Sequence, residues 1–305
     1  MLSPSVQVAS RHLRALRTSG ALLTVFYGGS WLTNTARRRF IYEGHPQFSI
    51  LPTLACTFPF WGASSPIDEL ARGAGVQFDP AALVHGEQEL TLHVPLQPAT
   101  ILGRTLQNET RVDSVVDRGS GALVTLQTTT TADGRAKVAT NTMAVFIRGL
   151  GGFAGRRSRA DGKRIHNEAV TPHAVLEDRT EAGAAALYRL TGDLNPLHID
   201  PAFARRGGFP APILHGLCTL GHAVRCILAH ASSGGSGSPV HVSATSVTCR
   251  FTGPVVPGQA LVIRVWYDGP QRRAARFQVT ADGRPAIDGG NIQLSRGSDG
   301  HAARL

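Results

Sequence analysis

One short segment combines the residue types that acid–base chemistry needs. Asp193, Asn195 and His198 follow one another in the pattern D-x-N-P-x-H. A carboxylate and an imidazole that converge on one water can remove one proton and return another. Because Pro196 disfavours a helical conformation at Asn195, the three side chains are predicted to lie in an irregular loop. The same residue types also form turns, so a surface loop without a catalytic role is the alternative.

A second chemical feature follows at His215-Gly216, where a long helix is predicted to begin. The backbone N–H of Gly216 would lie in the first turn, where amides lack intrahelical acceptors and the helix dipole is positive. Such an amide can stabilise a developing oxyanion. A plain helix start, with glycine for close packing, is the alternative. The apolar residues at helical spacing, which should be buried, are Leu217, Leu220, Val224, Ile227 and Leu228.

Two short helices are predicted to present the D-x-N-P-x-H loop. We expect Thr180 to cap the first, which should run to about Leu190 and end at Gly192. The second should start with Asp200 as its cap and Pro201 at its first position. The loop would then lie between two helix ends, which restrict its conformation.

The Gly/Arg-rich stretch at 148–164 separates two blocks of similar pattern. In each block a strand ends at a proline-containing turn (VPLQP, then VVPGQ), and alternating strands follow that are turned by DRGSG or ADGR. These connections are too short for parallel crossovers, so the sheets should be antiparallel. An apolar helix wrapped by a curled antiparallel sheet is the hot-dog architecture. We therefore predict an α+β double hot dog, with one long central helix in each unit.

The predicted division of the chain follows these patterns. It comprises an N-terminal extension or targeting segment (1–39), a first hot-dog unit that forms the substrate tunnel (40–147), a linker (148–173), a catalytic second unit (174–296) and a tail (297–305). The extension is basic and free of acidic residues, which is typical of a mitochondrial transit peptide, a disordered extension or an altered start. The ending Ala303-Arg304-Leu305 is a conservative variant of a peroxisomal address. We expect a peroxisomal protein, with the mitochondrion as the alternative.

Composition disfavours several classes of function. Hydrophobic residues make up 42% of the 305 residues, and no apolar run is long enough for a membrane helix. The formal net charge of +10 comes from residues 1–42 and 148–164, and the remainder is close to neutral. We therefore expect no nucleic-acid partner and no membrane span. The four cysteines form no CxxC pair, and no metal-ligand spacing is evident, so neither a metal nor another cofactor is predicted.

The stretch YRLTGDLNPLHIDPAFARRGGFPAPILHGLCTLG, residues 188–221, closely resembles the signature of 2-enoyl-CoA hydratase 2. This MaoC-like, (R)-specific hydratase also forms a domain of peroxisomal multifunctional enzyme type 2. The resemblance extends over roughly residues 40–295. It implies reversible hydration of a trans-2-enoyl-CoA to a (3R)-3-hydroxyacyl-CoA in fatty-acid β-oxidation, without a cofactor. Hot-dog proteins commonly pair, so a homodimer is expected.

By this resemblance, Asp193 and His198 are the catalytic pair, Asn195 assists them, and the amide of Gly216 meets the thioester oxygen. The residues that would bind the acyl-CoA substrate are His85, Gly86, Arg118, Leu194, Pro196, Leu197 and Phe251. The first block contains no D-x-N-P-x-H, which implies one active site per chain. A hot-dog acyl-CoA thioesterase and a catalytically inactive acyl-CoA-binding protein are the alternative functions.

Overall fold

The computed structural model describes residues 11–14, 39–40, 42, 44–45, 48–61, 66–67, 70, 78–153, 170–233 and 241–296. The predicted tail at 297–305 and most of the predicted linker lie outside these residues. β5 ends at Arg148, β6 begins at Ala174 and β10 ends at Arg296.

Ten strands form one sheet in which all pairs of neighbours are antiparallel. The strands are β1 (Arg11–Arg14), β2 (Leu83–Leu92), β3 (Thr105–Asp117), β4 (Gly121–Ala132), β5 (Ala136–Arg148), β6 (Ala174–Arg179), β7 (Val242–Phe251), β8 (Ala260–Asp268), β9 (Ala274–Ala281) and β10 (Arg284–Arg296). Strands β1–β5 make up the first unit and β6–β10 the second. The predicted antiparallel sheet is confirmed.

The two units have the same internal strand order. From outer edge to centre, the first runs β1-β3-β4-β5-β2 and the second β6-β8-β9-β10-β7. They join where β2 pairs with β7. The matching hairpins turn at Asp133-Gly134 and Asp282-Gly283, and all four residues have positive φ, as a tight hairpin turn requires. The predicted double hot dog is confirmed by this repeated order.

The α-helices whose bounds fall within the described residues are α1 (Pro98–Ile101), α2 (Ala184–Tyr188), α3 (Pro201–Arg206) and α4 (Gly216–Ser232). Short 3-10 helices form at Pro52–Phe60, Pro80–Ala82, Arg189–Thr191 and Pro196–His198. No helix in the described part of the chain is long and apolar enough to cross a bilayer.

Helix α4 is the central helix of the second unit. Its predicted apolar stripe is buried throughout, with Leu220, Val224, Ile227 and Leu228 fully enclosed. One face of α4 also buries charge, because His222 and Arg225 both contact the Asp178 carboxylate on β6. A buried carboxylate needs such partners, since an unpaired charge in the core would be strongly destabilising.

The centre of the first unit is described only in part, because residues 62–65, 68–69 and 71–77 lie outside the described residues, so the long helix expected there stays a prediction. One described element at this centre is the 3-10 helix Pro52–Phe60, all nine residues of which are buried. It packs against β2–β5, β7 and α4. Pro59 lies inside it and offers no backbone N–H, and 3-10 hydrogen bonding supports only short runs. Residues 66–67 and 70 are helical too.

Strand β1 lies within the segment that was expected to be an extension. Its backbone pairs with Thr105–Asn108 at the outer edge of β3. This pairing gives the first unit the same number of strands as the second. The remainder of residues 1–38 lies outside the described part of the chain, including the predicted targeting features.

Candidate active site

A cavity of about 480 Å³ opens between the two units. The first unit contributes Phe60, Leu83, His85 and Met143 among others to its wall. The second contributes residues 192–198, the start of α4 and the end of β7 with the turn that follows. The D-x-N-P-x-H segment therefore forms part of the wall of this cavity.

The segment Gly192–His198, here called the site loop, is built from local side-chain hydrogen bonds. Asp193 Oδ1 accepts a hydrogen bond from the Asn195 amide at 3.2 Å. Asn195 Oδ1 accepts one from the Leu197 amide at 3.0 Å and caps the 3-10 turn Pro196–His198. Asn195 has a φ of −53° and a ψ of 123°, outside the helical region, as expected for a residue before proline. The predicted irregular loop is thus correct up to Asn195, and a short 3-10 turn follows it.

The helices on either side of the site loop agree only partly with prediction. Asp200 caps α3 as expected, because its carboxylate accepts hydrogen bonds from Ala202 and Phe203. The predicted cap at Thr180 is wrong, since α2 begins after Gly183. Thr180 Oγ1 instead accepts a hydrogen bond from the Gly258 amide at 2.8 Å, which ties β6 to the turn before β8.

Arginines hold the site loop and its surroundings in place. Arg189 Nη1 donates to the carbonyl oxygens of Leu194 and Asn195 at 2.7 and 3.0 Å. Across the two units, Arg148 donates to the carbonyl of Gly207, and Arg206 pairs with Asp79 at 3.1 Å. Arg189 thus braces the site loop itself, while the other two contacts join the two units away from the described residues that line the cavity. The sequence prediction included none of them.

His198 is oriented by a backbone carbonyl. Its Nδ1 lies 2.8 Å from the carbonyl oxygen of Ile213, which precedes the first residue of α4 by three positions. A carbonyl only accepts hydrogen bonds, so Nδ1 carries the proton and the neutral ring has its lone pair on Nε2. His198 is 8% exposed. It is therefore a desolvated base whose tautomer is set by the fold.

The electrostatics of the site favour uncharged side chains. Burial raises the pKa of the Asp193 carboxyl, while His198 opposes this effect. Burial also lowers the pKa of His198, against the opposing effect of Asp193. Both shifts have the same cause, because a low-dielectric wall disfavours any charge. Asp193 and His198 influence each other, so they titrate as a pair.

His215 is a site residue that the sequence prediction missed. Its ring stacks on that of His198, with centroids 3.6 Å apart and planes at 27°. Its Nε2 lies 3.3 Å from the Asp193 carbonyl, and its ring also contacts Tyr188. Burial lowers its pKa well below that of an ordinary imidazole. Its place directly before the predicted oxyanion glycine was the one available signal.

Asp193, His198 and His215 also form a group that could hold a metal ion. Their potential ligand atoms lie within 4.8 Å of one another, whereas the sequence had predicted no metal site. Imidazole lone pairs lie in the ring plane, so two nearly parallel rings direct them side by side rather than toward one ion. The stacked geometry therefore favours acid–base chemistry.

Gly216 lies where an oxyanion amide is needed. It is the first residue of α4, and the Cys218 amide behind it already donates to the His215 carbonyl. The Gly216 amide precedes the intrahelical bonds and has no acceptor within the helix. A Cβ on Gly216 would lie 3.0 Å from the Phe251 ring. Only glycine lets this ring pack so closely against the helix start.

Most of the predicted site residues meet at the cavity, and these are Asp193, Leu194, Asn195, Pro196, Leu197, His198, Gly216, His85 and Phe251. His85 contacts Phe251 edge to face at 4.9 Å, and burial lowers the His85 pKa to about 4. Gly86 and Arg118 are not among the described residues that line the cavity. Gly86 lies beside His85 on β2, and Arg118 lies in the turn between β3 and β4.

Comparison with known proteins identifies two matched domains. Residues 30–149 match the MFE-2 hydratase 2 N-terminal domain, and residues 166–285 match the MaoC like domain. The chain is 36% identical over 257 residues to the probable enoyl-CoA hydratase 2 of Dictyostelium discoideum, covering 83% of each protein. It is 37% identical over 245 residues to peroxisomal multifunctional enzyme type 2 of Mus musculus, covering 79% of this chain and 31% of that longer protein.

A solved structure agrees with these matches. The MaoC-like dehydratase from Phytophthora capsici is 32% identical, with a TM-score of 0.74, and the match covers 94% of this chain and 95% of that one. The sequence relatives, the domain matches and the structural likeness all extend across both units. The chain belongs to the enoyl-CoA hydratase 2 family of MaoC-like proteins.

Proposed function

We propose that this protein catalyses the reversible hydration of a trans-2-enoyl-CoA to the (3R)-3-hydroxyacyl-CoA, as in fatty-acid β-oxidation. One observation carries the proposal. Asp193 and His198 lie on one loop and line the same cavity as Gly216, the first residue of α4. Membership of the enoyl-CoA hydratase 2 family supports the same reaction and its substrate class, a CoA thioester.

The reaction begins with polarisation of the substrate. A 2-enoyl thioester is electrophilic at C3, and negative charge develops on the thioester oxygen as water adds. The Gly216 amide, at the positive end of α4, would donate a hydrogen bond to that oxygen. Removing a donor of this kind typically costs ~2.7–4 kcal/mol of transition-state stabilisation.

Proton transfer would then use the two ionisable groups of the site loop. As the water oxygen bonds to C3, its proton passes to Nε2 of His198, the nitrogen that carries the lone pair. In this proposal Asp193 enters as the acid, the form that burial favours, and gives its proton to C2. The proton on His198 then returns to Asp193, and the thioester bond stays intact throughout. Acid–base catalysis of this kind is typically worth ~10²–10⁴-fold.

The remaining lining residues would bind the substrate. Leu194, Pro196, Leu197 and Phe251 surround the reacting groups, with His85 across from them on β2. The apolar residues of the first unit would accept the acyl chain. Gly86 and Arg118 remain candidates for contacts with the CoA moiety, which extends beyond the cavity.

The test is an assay with purified protein and a medium-chain trans-2-enoyl-CoA. We expect the enoyl-thioester absorbance to fall without release of free thiol. Thiol release would instead identify a thioesterase. Bound substrate with unchanged absorbance would identify an acyl-CoA-binding protein without catalytic activity.

Localisation and assembly are separate proposals. A relative that is named peroxisomal supports the peroxisome, with the mitochondrion as the alternative. Ala303-Arg304-Leu305 lies outside the described residues, and we expect its deletion to release a tagged protein from peroxisomes. A mitochondrial pattern would contradict this proposal.

The expected homodimer predicts twice the chain mass of 32.3 kDa in sedimentation equilibrium.

A further inference from the structure

The entry to the site loop lies directly against the first unit. Trp61 Nε1 donates a hydrogen bond to the carbonyl oxygen of Thr191 at 2.9 Å, across 130 positions of the chain. A Cβ on the next residue, Gly192, would lie 2.8 Å from the carbonyl oxygen of Phe60. The Thr191–Gly192 peptide therefore accepts a hydrogen bond from the first unit, and a side chain at Gly192 would clash with the backbone of that unit.

Trp61 is itself anchored within the first unit. Its backbone amide donates to the Phe58 carbonyl at 3.0 Å, at the end of the buried 3-10 helix. Its ring packs on the Phe58 ring with centroids 4.8 Å apart. The indole N–H is therefore presented to Thr191 from a fixed position, so the hydrogen bond needs little further ordering of Trp61.

Gly192 is the residue of the site loop with the greatest backbone freedom. It has a φ of +110°, a region that glycine enters freely. It also directly precedes Asp193, so rotation at Gly192 would move the Asp193 carboxyl away from His198. A contact that fixes the peptide plane before Gly192 therefore controls the geometry of the reacting pair.

We propose that Trp61 is a positioning residue for the hydration reaction. Its indole N–H fixes the Thr191–Gly192 peptide and thereby places the Asp193 carboxyl beside His198. Trp61 is not among the described residues that line the cavity, so it acts through the site loop and not on substrate. The first unit thus contributes to catalysis as well as to the cavity wall. This inference rests on the proposed hydration.

The chain offers a matched control in Trp266. Its indole Nε1 donates to the carbonyl oxygen of Val170 at 2.8 Å, the same kind of bond at nearly the same length. Trp266 lies on β8, away from the residues that line the cavity. Phenylalanine at either position keeps an aromatic ring but removes the donor.

The kinetic test compares Trp61→Phe with Trp266→Phe. We expect Trp61→Phe to lower kcat by about 10-fold with less than a two-fold change in KM, since misplaced reacting groups slow chemistry more than binding. Trp266→Phe should keep kcat within two-fold of wild type. Equal kcat values for the two variants would overturn the proposal, because a purely structural indole predicts no difference.

A second readout does not depend on turnover. Amide hydrogen exchange in residues 192–198 should accelerate in Trp61→Phe but not in Trp266→Phe, because local opening of the loop becomes easier. Wild-type exchange in Trp61→Phe would overturn the proposal even if no hydration is found. If Trp61→Phe does not fold, Trp61→Met provides the same loss of donor with a flexible side chain.

Discussion

The two units share one strand order but differ in what connects their first and second strands. In the second unit, the connection between β6 and β7 carries α2, the site loop, α3 and the central helix α4. The described part of the corresponding connection in the first unit carries the buried 3-10 helix Pro52–Phe60. The strands therefore set the architecture, while the connections decide where the chemistry lies.

The units also differ in the polar groups they present to the cavity. The second unit supplies a carboxyl, an imidazole and a helix-start amide in one small region. The first supplies His85 and mainly apolar walls. Substitutions of the residues that line the cavity should therefore have separable effects, on chemistry in the second unit and on binding in the first.

The largest effect should follow removal of the reacting groups in the second unit. We expect Asp193→Asn and His198→Gln each to lower kcat by at least ~100-fold, with the unfolding midpoint little changed. His85→Gln, the control from the first unit, should raise KM more than it lowers kcat. Near-normal turnover in either site-loop variant would show that the substituted side chain takes no part in the chemistry.

A smaller effect should follow from crowding the junction between the units. Gly192→Ala places a Cβ against the Phe60 carbonyl and should lower kcat about 10-fold. Gly258→Ala is the control, because Gly258 has a similar φ of +99° and open space around its Cβ position. Both variants should lose ~1–2 kcal/mol of unfolding free energy through backbone strain. Equal kcat values would show that Phe60 does not constrain the loop.

The pH dependence of catalysis tests the desolvation of the site. The mechanism needs neutral His198, and burial lowers its pKa. Activity should therefore persist as pH falls through 6.5, the ordinary imidazole value, and decline only below it. The measurement is kcat/KM against pH, which reports the free enzyme. An acid-side half-maximum at or above pH 6.5 would mean that His198 is solvated, whereas a loss of activity on the alkaline side would report ionisation of Asp193.

The smallest effect should come from the edge of the first unit. Arg118→Ala should raise KM for CoA esters by two- to five-fold and leave kcat unchanged, if Arg118 contacts the CoA moiety outside the cavity. Arg111→Ala on β3, whose side chain is 62% exposed, serves as the charge-matched control. An unchanged KM in Arg118→Ala would make Arg118 a turn residue only.

Local sequence patterns predicted much of this molecule. The apolar stripe of α4 and the two Asp-Gly turns depend on neighbouring residues, and so they could be read directly. The D-x-N-P-x-H pattern likewise encodes its own hydrogen bonds, since Asp193 and Asn195 bond to amides two residues ahead. Such contacts require no knowledge of the tertiary fold.

The features that escaped prediction depend on distant contacts. His215 stacks on His198 only because the chain between them folds back through α3. Trp61 meets Thr191 only when the two units pack together. Thr180 was expected to cap a helix, but the turn at Gly258 offers it a different partner. No periodicity in the sequence encodes these pairings.

The most direct test of the account is hydration of a trans-2-enoyl-CoA in D₂O, with the product analysed by NMR and chiral separation. Both proton-transfer groups lie on one loop, so they should act on the same face of the substrate. We predict a (3R)-3-hydroxyacyl-CoA that carries one deuterium at C2, added on the same face as the hydroxyl. Addition to opposite faces, or a mixture at C2, would contradict a site in which Asp193 and His198 act together.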